Sequence, residues 1–231
     1  MSTAASYATL QRLGSPLITT REAAAALRTS PSAASRTLRT LERRTLARRV
    51  RYGLWSIGPS SFDPRRIAPE LTRPYPAYVS FESALAAHGA IDQIPREITV
   101  ASLAKPRRVR TTDGTFAIHR LPPELFGGFE DRDGVALATP EKALFDYFYV
   151  AAASGHPSRR LPELDLPASF SGSKVDAWIG RIRSPRLRTL VKAAVARALA
   201  HADYEDKRPA PKAQSRGHGR AARLVRTRPS G

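Results

Sequence analysis

The chain has 231 residues, and its 38 Lys and Arg against 20 Asp and Glu give a formal net charge of +18. The absence of cysteine excludes disulfide scaffolds, thiolate zinc sites and cysteine nucleophiles. Every apolar run is shorter than the roughly 18 residues that a membrane span needs. We therefore expect a soluble cytoplasmic protein with no membrane partner and with an anionic partner, nucleic acid above all. Because 32 of the cations are Arg, a GC-rich genome is an alternative source of part of the excess.

The positive charge is concentrated at the two ends of the chain. Residues 1–60 carry +8 and residues 204–231 carry +6, whereas residues 75–158 carry −2. Proline is frequent between residues 61 and 76, where it removes backbone donors and restrains the residue before it. The sequence therefore predicts a basic domain over residues 1–60, a Pro-rich linker over 61–76, a second domain over 77–204 and a disordered basic tail over 205–231.

Two short helices joined by a tight turn are predicted within the first domain. Thr19 and Glu22 have the spacing of a capping box, in which each side chain satisfies a backbone amide at the start of a helix. Ser30 is a good cap for a second helix, and Pro31 then occupies the first helical position, where its missing donor costs nothing.

The second predicted helix separates an apolar stripe from a basic face. At 3.6 residues per turn the apolar stripe consists of Ala34, Leu38 and Leu41, and the opposite face of Ser32, Arg36, Arg39 and Arg43. Two short strand-like runs follow, and they flank Arg51-Tyr52-Gly53 as a hairpin with a cationic tip. Helix, turn, basic helix and basic hairpin in this order predict an N-terminal winged helix-turn-helix, followed by a mixed α/β domain in an α+β protein.

The dimensions of B-DNA assign roles to these side chains. An α-helix fits the major groove, where Arg reads guanine, and neighbouring residues hold the phosphates. We expect contacts to base edges or the adjacent backbone from Ser32, Ser35, Arg36 and Arg39. We expect phosphate contacts from Arg43, Arg48, Arg49 and Arg51, with Tyr52 at the tip of the wing. For any single arginine, a solvated side chain without a partner is the alternative.

The middle of the chain predicts a mixed α and β domain. Asp113-Gly114 is a strong hairpin signal, and Thr139-Pro140 is a cap followed by Pro at the first turn of a helix. The expected elements are a helix over residues 82–88, a strand over 97–101, a hairpin of 107–112 with 115–121, a strand over 135–138 and a helix over 141–153.

Three stretches of this domain carry a family resemblance. They are residues 78–89 (YVSFESALAAHG), residues 93–96 (QIPR) with 98–100 (ITV), and residues 138–146 (ATPEKALFD). In this order behind a winged helix, they resemble the AbiEi family of antitoxins from type IV toxin–antitoxin systems.

The resemblance implies a transcriptional repressor that binds double-stranded DNA at inverted repeats near its own promoter. It also implies that the C-terminal domain neutralises a nucleotidyltransferase-like toxin encoded alongside. We expect a monomer in solution or a dimer on DNA. A stand-alone winged-helix regulator without a toxin is the alternative, because an orphan relative would have the same sequence pattern. The basic tail departs from the family pattern, so no function is carried over to it.

A helix predicted over residues 185–202 and capped by Ser184 is a candidate for a second interface. Residues 159–203 carry +5, and the helix has a continuous apolar stripe. Three cations lie away from that stripe, and they could meet an acidic toxin surface or extend the contact with DNA; they are Arg186, Lys192 and Arg197. A solvated cationic face is the alternative.

Most residues of the resembling stretches are expected to have structural roles. His88 is interpreted as a capped or hydrogen-bonded core histidine rather than a catalytic base, and Gly89 as a helix C-cap. Pro140 and Glu141 fit the start of a helix, and Asp146 is expected to pair with a nearby Arg.

The sequence does not match the common enzyme patterns. A nucleotidyltransferase needs a Gly-Ser turn about ten residues before two alternate carboxylates; Asp131 and Asp133 alternate, but Gly127-Gly128 is too close, and the setting indicates a surface loop. There is no phosphate-binding loop ending in Gly-Lys-Ser/Thr, and the five histidines have no metal-ligand spacing. We therefore expect neither an enzyme nor a metal or cofactor site.

Overall fold

The computed structural model describes residues 2–58, 63–159, 161 and 163–206, and it shows a mixed α+β protein. The predicted basic tail lies outside the described residues, except for residues 205 and 206, which continue the last helix. Within the described part of the chain, no helix combines the length and the apolar character needed to cross a membrane.

Residues 2–58 form three helices and a three-stranded antiparallel sheet with the strand order β1-β3-β2. The two predicted helices and the predicted hairpin are confirmed, and a first helix and a short first strand are additional to them. In chain order the elements are α1 (Thr3–Gln11), β1 (Leu17–Thr19), α2 (Thr20–Ala26), α3 (Pro31–Arg43), β2 (Ala47–Arg51) and β3 (Leu54–Ile57).

The remaining described residues form a six-stranded mixed sheet with helices packed against it. Its strand order is β6-β7-β5-β4-β9-β8, and the pairs β4/β9 and β5/β7 are parallel. The elements are a 3₁₀ turn (Pro64–Ile67), α4 (Ala68–Thr72), β4 (Ala77–Val79), α5 (Phe81–Ala87), β5 (Ile98–Ser102), β6 (Arg107–Thr111), β7 (Gly114–Arg120), a 3₁₀ turn (Pro123–Leu125), β8 (Phe129–Arg132), β9 (Val135–Ala138), α6 (Pro140–Ala153), α7 (Gly172–Gly180) and α8 (Pro185–Asp206).

The local signals in this second part correspond to real elements. Thr112 and Asp113 form the turn between β6 and β7, and Gly114 is the first residue of β7. Thr139 caps α6 by accepting a hydrogen bond from the backbone of Lys142. His88 is the C-cap residue of α5, and Gly89 after it has a φ of 70°, as expected for the glycine that ends a helix. The strands β4 and β8 and the helices α4 and α7 are additional to the predicted elements, and α4 lies within the predicted Pro-rich linker.

The N-terminal sheet shares a hydrophobic core with the rest of the protein. A smaller cluster inside the first part contains Leu10, Leu38 and Trp55. Leu17, Val50 and Leu54, by contrast, are buried in the larger cluster that extends through the six-stranded sheet and its helices. The Pro-rich segment contributes to the same cluster and so does more than connect two domains; its buried side chains are Ile67, Ala68 and Leu71.

Polar contacts reinforce this shared core. The backbone N–H of Thr112, in the β6–β7 turn, donates to the carbonyl of Val50 in β2 at 3.0 Å. Arg48, also in β2, forms an ion pair of 2.6 Å with Asp113 in the same turn. Hydrogen bond and ion pair together join the hairpin of the first part to a hairpin of the second.

A further contact comes from the segment between the two parts. Arg73 forms ion pairs of 2.7 Å with Glu22 at the start of α2 and of 2.8 Å with Glu70 in α4. Glu22 also completes the predicted capping box, because its carboxylate accepts from the backbone of Thr19 at 2.7 Å while the Thr19 hydroxyl accepts from the backbone of Glu22. The carboxylate of Glu22 therefore caps the start of α2 and also pairs with Arg73 in the segment that leads to the second part of the chain.

A buried ion pair lies at the centre of the second part. Lys142 and Asp146, one turn apart on α6, are both completely buried, and their ammonium and carboxylate groups are in direct contact. The hydroxyl groups of Tyr78 and Ser80 donate to the second carboxylate oxygen at 3.0 and 2.7 Å, and Lys142 donates to the carbonyl of Leu125 at 2.7 Å. The expectation that Asp146 pairs with an Arg is therefore wrong: its partner is the lysine one helical turn away.

Aromatic rings surround this ion pair. The ammonium of Lys142 lies 4.4 Å from the ring centre of Trp178 and 4.9 Å from that of Phe145, positions at which the negative face of a ring attracts a cation. Burial raises the pKa of the Asp146 carboxyl and lowers that of the Lys142 ammonium, and each group opposes the shift of the other by its charge. The pair is therefore held by mutual charge and hydrogen bonds rather than by water.

Replacing Asp146 by Asn is expected to lower the free energy of unfolding by about 3–5 kcal/mol, because it leaves a buried ammonium without its counter-charge. Urea unfolding of the full chain measures the effect. The double variant Lys142→Met, Asp146→Leu removes both charges and should recover most of the loss, since apolar residues can replace a buried pair. A double variant as unstable as Asp146→Asn would contradict this account.

Two substitutions at Glu22 separate its roles. Glu22→Ala should cost about 1 kcal/mol for the lost cap in addition to the lost ion pair, whereas Glu22→Gln keeps an acceptor for Thr19 and should cost well under about 1 kcal/mol. Thermal unfolding of both variants is the measurement. If both variants lost the same stability, the whole effect would come from the ion pair of Glu22 with Arg73 and none from the helix cap.

The loss in Glu22→Gln should also depend on pH. Burial acts to raise the pKa of the Glu22 carboxyl, but the hydrogen bonds from Thr19 and the pairing with Arg73 bring it below its usual value. A lowered pKa in the folded state means a stability contribution that is present at neutral pH and is lost as the pH falls through that pKa. The difference between the original chain and Glu22→Gln should therefore disappear in acid.

Candidate nucleic-acid interface

Helix α3 is built as the sequence predicts. Ser30 caps it by accepting from the backbone of Ala33 at 3.3 Å, and Pro31 stands in the first turn. The three residues of the apolar stripe have no exposed surface and pack in the smaller core cluster; they are Ala34, Leu38 and Leu41. The helix is thus anchored along one face, and the other face is directed to solvent.

Helix α2 and the hairpin support α3 from behind. α2 begins at the Thr19 capping box, and its Ala23 and Ala24 are buried against the same cluster as α3. Trp55 in β3 is buried there too, and its indole N–H donates to the hydroxyl of Thr20 at 3.0 Å. The backbone N–H of Arg49 in β2 donates to the carboxylate of Glu42 near the end of α3 at 3.1 Å. The shared hydrophobic cluster and the hydrogen bond between Arg49 and Glu42 therefore fix the position of the hairpin relative to α3.

The predicted contact residues of α3 share its outer face. Ser32, Arg36, Arg39 and Arg43 are exposed, and Ser35 is half-buried. Some of these side chains have neighbours: the Ser32 hydroxyl lies 3.0 Å from that of Ser30, and Arg43 donates to the Thr40 hydroxyl at 3.1 Å. Within the described residues, Arg36 and Arg39 form no ion pair. Their charges are thus available to a partner.

The hairpin presents a second group of predicted contact residues. Arg49 and Arg51 are exposed, and Tyr52 at the tip is 92% exposed. Gly53 completes the turn with a φ of 79°, in the left-handed region that glycine adopts without strain. A register shift between Arg49 and Arg51 bends β2 at this point. Backbone geometry therefore projects a large aromatic side chain and two cations away from the core.

Arg48 is the exception among the predicted phosphate contacts. Its guanidinium pairs with Asp113 and donates to the hydroxyl of Thr112 at 3.0 Å. The side chain is only 40% exposed. The structure brings Arg48 into the contact between the two parts of the chain, 65 residues away in sequence, and leaves Arg49 and Arg51 directed outwards.

The three cations of α8 do not form one surface. Val191, Ala194 and Val195 are buried along the apolar side of the helix, and the three cations are exposed. At 3.6 residues per turn, Arg186 and Arg197 lie on one flank of the buried stripe, and Lys192 lies about 120–140° away on the other. Arg197 also donates to the carbonyl of Pro157 at 3.1 Å. A single flat partner would meet two of these cations at most.

The residues considered for catalysis have structural contacts. The ring of His88 is hydrogen-bonded to the carbonyl of Ala138 at 2.8 Å, and burial lowers its pKa. Asp131 lies on the edge strand β8 and accepts from the backbone of Gly134 at 2.9 Å, so the expected surface loop is in fact a β-hairpin. Among the described residues, no three His, Asp or Glu side chains are grouped as metal ligands would be.

Gly127-Gly128 has a packing role. Gly128 has a φ of 72°, and a Cβ added to it would lie 2.7 Å from the ring of Trp178 and 3.0 Å from the side chain of Lys142. The missing side chain therefore allows the indole to approach the buried ammonium. No sequence signal for this contact is visible beyond the two glycines themselves, because Trp178 is 50 residues further along the chain.

Comparison with known proteins assigns no family. No family model matches the chain, and a search of the curated proteins found no match. The candidate interface is defined by its geometry: a basic helix face and an exposed hairpin, both supported by one buried cluster.

Proposed function

We propose that residues 3–57 are a winged helix-turn-helix that binds double-stranded DNA, with α3 in the major groove and the β2–β3 hairpin as the wing. The observation that carries the proposal is the division of α3 into a fully buried apolar stripe and an exposed face with Arg36 and Arg39. The basic face of α3 is therefore accessible to a partner. The cationic hairpin beside it gives the partner a second point of contact.

The groove dimensions and hydrogen-bonding groups of B-DNA assign a separate contact to each exposed side chain of α3 and the hairpin. Arg36 and Arg39 are long enough to make paired hydrogen bonds to guanine, and Ser32 and Ser35 in the first turns serve base edges or nearby phosphates. Arg43, Arg49 and Arg51 hold phosphates and set the register, with Tyr52 at the wing tip. Arg48 instead positions the wing against the second part of the chain. No enzymatic step, metal or cofactor belongs to this proposal.

We further propose that the protein is a cytoplasmic autorepressor and antitoxin of the AbiEi type. It would bind inverted repeats near its own promoter, as a monomer in solution or a dimer on DNA, and neutralise a nucleotidyltransferase-like toxin. What supports this is the resemblance itself and the way its stretches meet: Tyr78 and Ser80 from the first contact Asp146 from the last, and His88 contacts Ala138. The first and last stretches thus meet in one interior, whereas Gln93, Ile94 and Arg96 of the middle stretch are exposed.

Footprinting of the full chain on the DNA upstream of its gene tests the repressor function. We expect protection of two inverted repeats. No protection there would defeat autoregulation, whereas protection without a neighbouring toxin gene would favour the stand-alone regulator.

Two arginine variants test the division between base and phosphate contacts. Arg36→Ala should weaken binding to the protected site far more than binding to random DNA, since a lost base contact costs about 1–3 kcal/mol. Arg49→Ala should weaken binding to both DNAs and lower the slope of log affinity against log salt by about one unit. Titration of both DNAs at several salt concentrations measures these effects.

Two further variants serve as controls for that experiment. Arg48→Ala should lower the salt slope less than Arg49→Ala, because Asp113 already balances its charge. Arg183→Ala should change neither affinity, because Arg183 lies outside the proposed interface and pairs with Glu124. Equal losses on the two DNAs for both Arg36→Ala and Arg49→Ala would contradict the assigned roles.

Rescue of growth in cells that express the adjacent nucleotidyltransferase tests the antitoxin function. The full chain carrying Arg36→Ala and Arg39→Ala should lose DNA binding and still rescue growth, because both positions are exposed on α3 and belong to none of the resembling stretches. The full chain is needed since Val50 and Leu54 belong to the larger core. Failure of the original chain to rescue would remove the antitoxin assignment and leave the regulator.

A further inference from the structure

The β2–β3 hairpin, which we propose as the wing, has an irregularity that the second part of the chain fills. Its register passes from Arg49 to Arg51 and leaves Val50 as the extra residue of a bulge, without a partner in β3. The carbonyl of Val50 accepts instead from the backbone N–H of Thr112, in the β6–β7 turn, at 3.0 Å. A buried backbone group needs such a partner, so the turn supplies a hydrogen bond that the hairpin itself lacks.

The side chains of the same turn hold the arginine before the bulge. The carboxylate of Asp113 lies 2.6 Å from the guanidinium of Arg48, and the side chains are 12% and 40% exposed. Arg48 also donates to the hydroxyl of Thr112 at 3.0 Å, across 64 residues of sequence. The carboxylate is thus largely enclosed, and Arg48 is held by two neighbouring residues of the second part.

This ion pair distinguishes Arg48 from the other two arginines of β2. Among the described residues, Arg49 and Arg51 are exposed and form no ion pair. A cation that neutralises one DNA phosphate adds about 0.9 to the slope of log affinity against log salt. Asp113 therefore withdraws one of three neighbouring arginines from phosphate binding.

Withdrawing a cation affects random DNA more than a specific site. Binding to random DNA is electrostatic, and the protein can take whichever position brings the most cations to phosphates. At a specific site the base contacts fix the position, so that an added cation contributes only where it meets a phosphate in that register. Fewer available cations therefore raise the ratio of specific to non-specific affinity, which decides how often the correct site is occupied.

We infer that the β6–β7 turn is part of the DNA-binding unit and that Asp113 is a specificity-determining residue, which lowers the affinity for random DNA by holding Arg48 in an ion pair. This inference rests on the proposed binding of DNA by α3 and the wing. Asp113 acts through Arg48 and is therefore a positioning residue. The second part of the chain, through this turn, sets the charge that the wing presents to DNA.

The variant Asp113→Asn tests the inference, because it keeps the size of the side chain and removes its charge. The full chain is titrated with a random duplex and with a duplex of the protected upstream site at several salt concentrations. The affinity for random DNA should rise roughly five- to tenfold at about 0.1 M salt, with a slope increased by about 0.9. The affinity for the site should rise by a smaller factor. A purely structural role of Asp113 would instead leave both affinities unchanged or lower them.

Three matched variants show whether the effect passes through Arg48. Asp113→Glu keeps the charge and should keep the original slope. Adding Arg48→Ala to Asp113→Asn should cancel the gain on random DNA. Glu124→Gln removes an equal charge and releases Arg183 from its ion pair outside the proposed interface, and it should leave the slope unchanged. Thermal unfolding verifies that each variant is folded.

The outcomes separate this inference from the proposed function. If the original chain binds DNA and Asp113→Asn gains no affinity for random DNA, the inference is wrong and the proposed function stands. A gain that persists after Arg48→Ala, or that appears equally in Glu124→Gln, would overturn it too, because the overall charge would then be the cause. If the original chain binds neither duplex at any salt concentration, the proposed function is wrong and the inference falls with it.

Discussion

The buried contact between Lys142 and Asp146 is the interaction on which the second part of the chain depends. Two charges removed from water are tolerated only when every polar atom finds a partner. Here the partners come from β4, through Tyr78 and Ser80, and from the turn before β8, through the carbonyl of Leu125. The same ammonium holds Trp178 of α7 over it. One ion pair thus determines how α6, α7 and the central strands meet.

The N-terminal hairpin is oriented by that assembly. Val50 and Leu54 are buried in the large core, and the backbone of Val50 is hydrogen-bonded to Thr112. Val50 is buried at the register shift in β2, and Arg49 and Arg51 on either side of it are exposed. The arrangement of a surface that we propose for DNA therefore depends on contacts formed more than 60 residues away, through a segment that contributes buried residues of its own.

Short-range signals in the sequence predicted five helices (α2, α3, α5, α6 and α8) and the β2–β3 and β6–β7 hairpins, but not α1, α4, α7 or the β8–β9 hairpin. The box of Thr19 with Glu22, the cap at Ser30 and the turn at Asp113-Gly114 each depend on residues within one turn. β4 has only three residues and β8 is exposed throughout, so neither shows a pattern. The partners of Arg48 and Asp146 could not be inferred, because a helical projection describes one element and not what packs against it.

Pairing, more than number, distinguishes the cations of this basic chain. Among the described residues, Arg65, Arg73, Arg108, Arg159 and Arg183 each form an ion pair with a carboxylate. Arg36, Arg39, Arg49 and Arg51 are exposed and form none. An unpaired arginine keeps its positive potential and its N–H donors available to a ligand, whereas the charge of a paired arginine is largely balanced by its carboxylate partner. Acidic residues near α3 are few, and this local scarcity leaves one face of a +18 protein open to a polyanion.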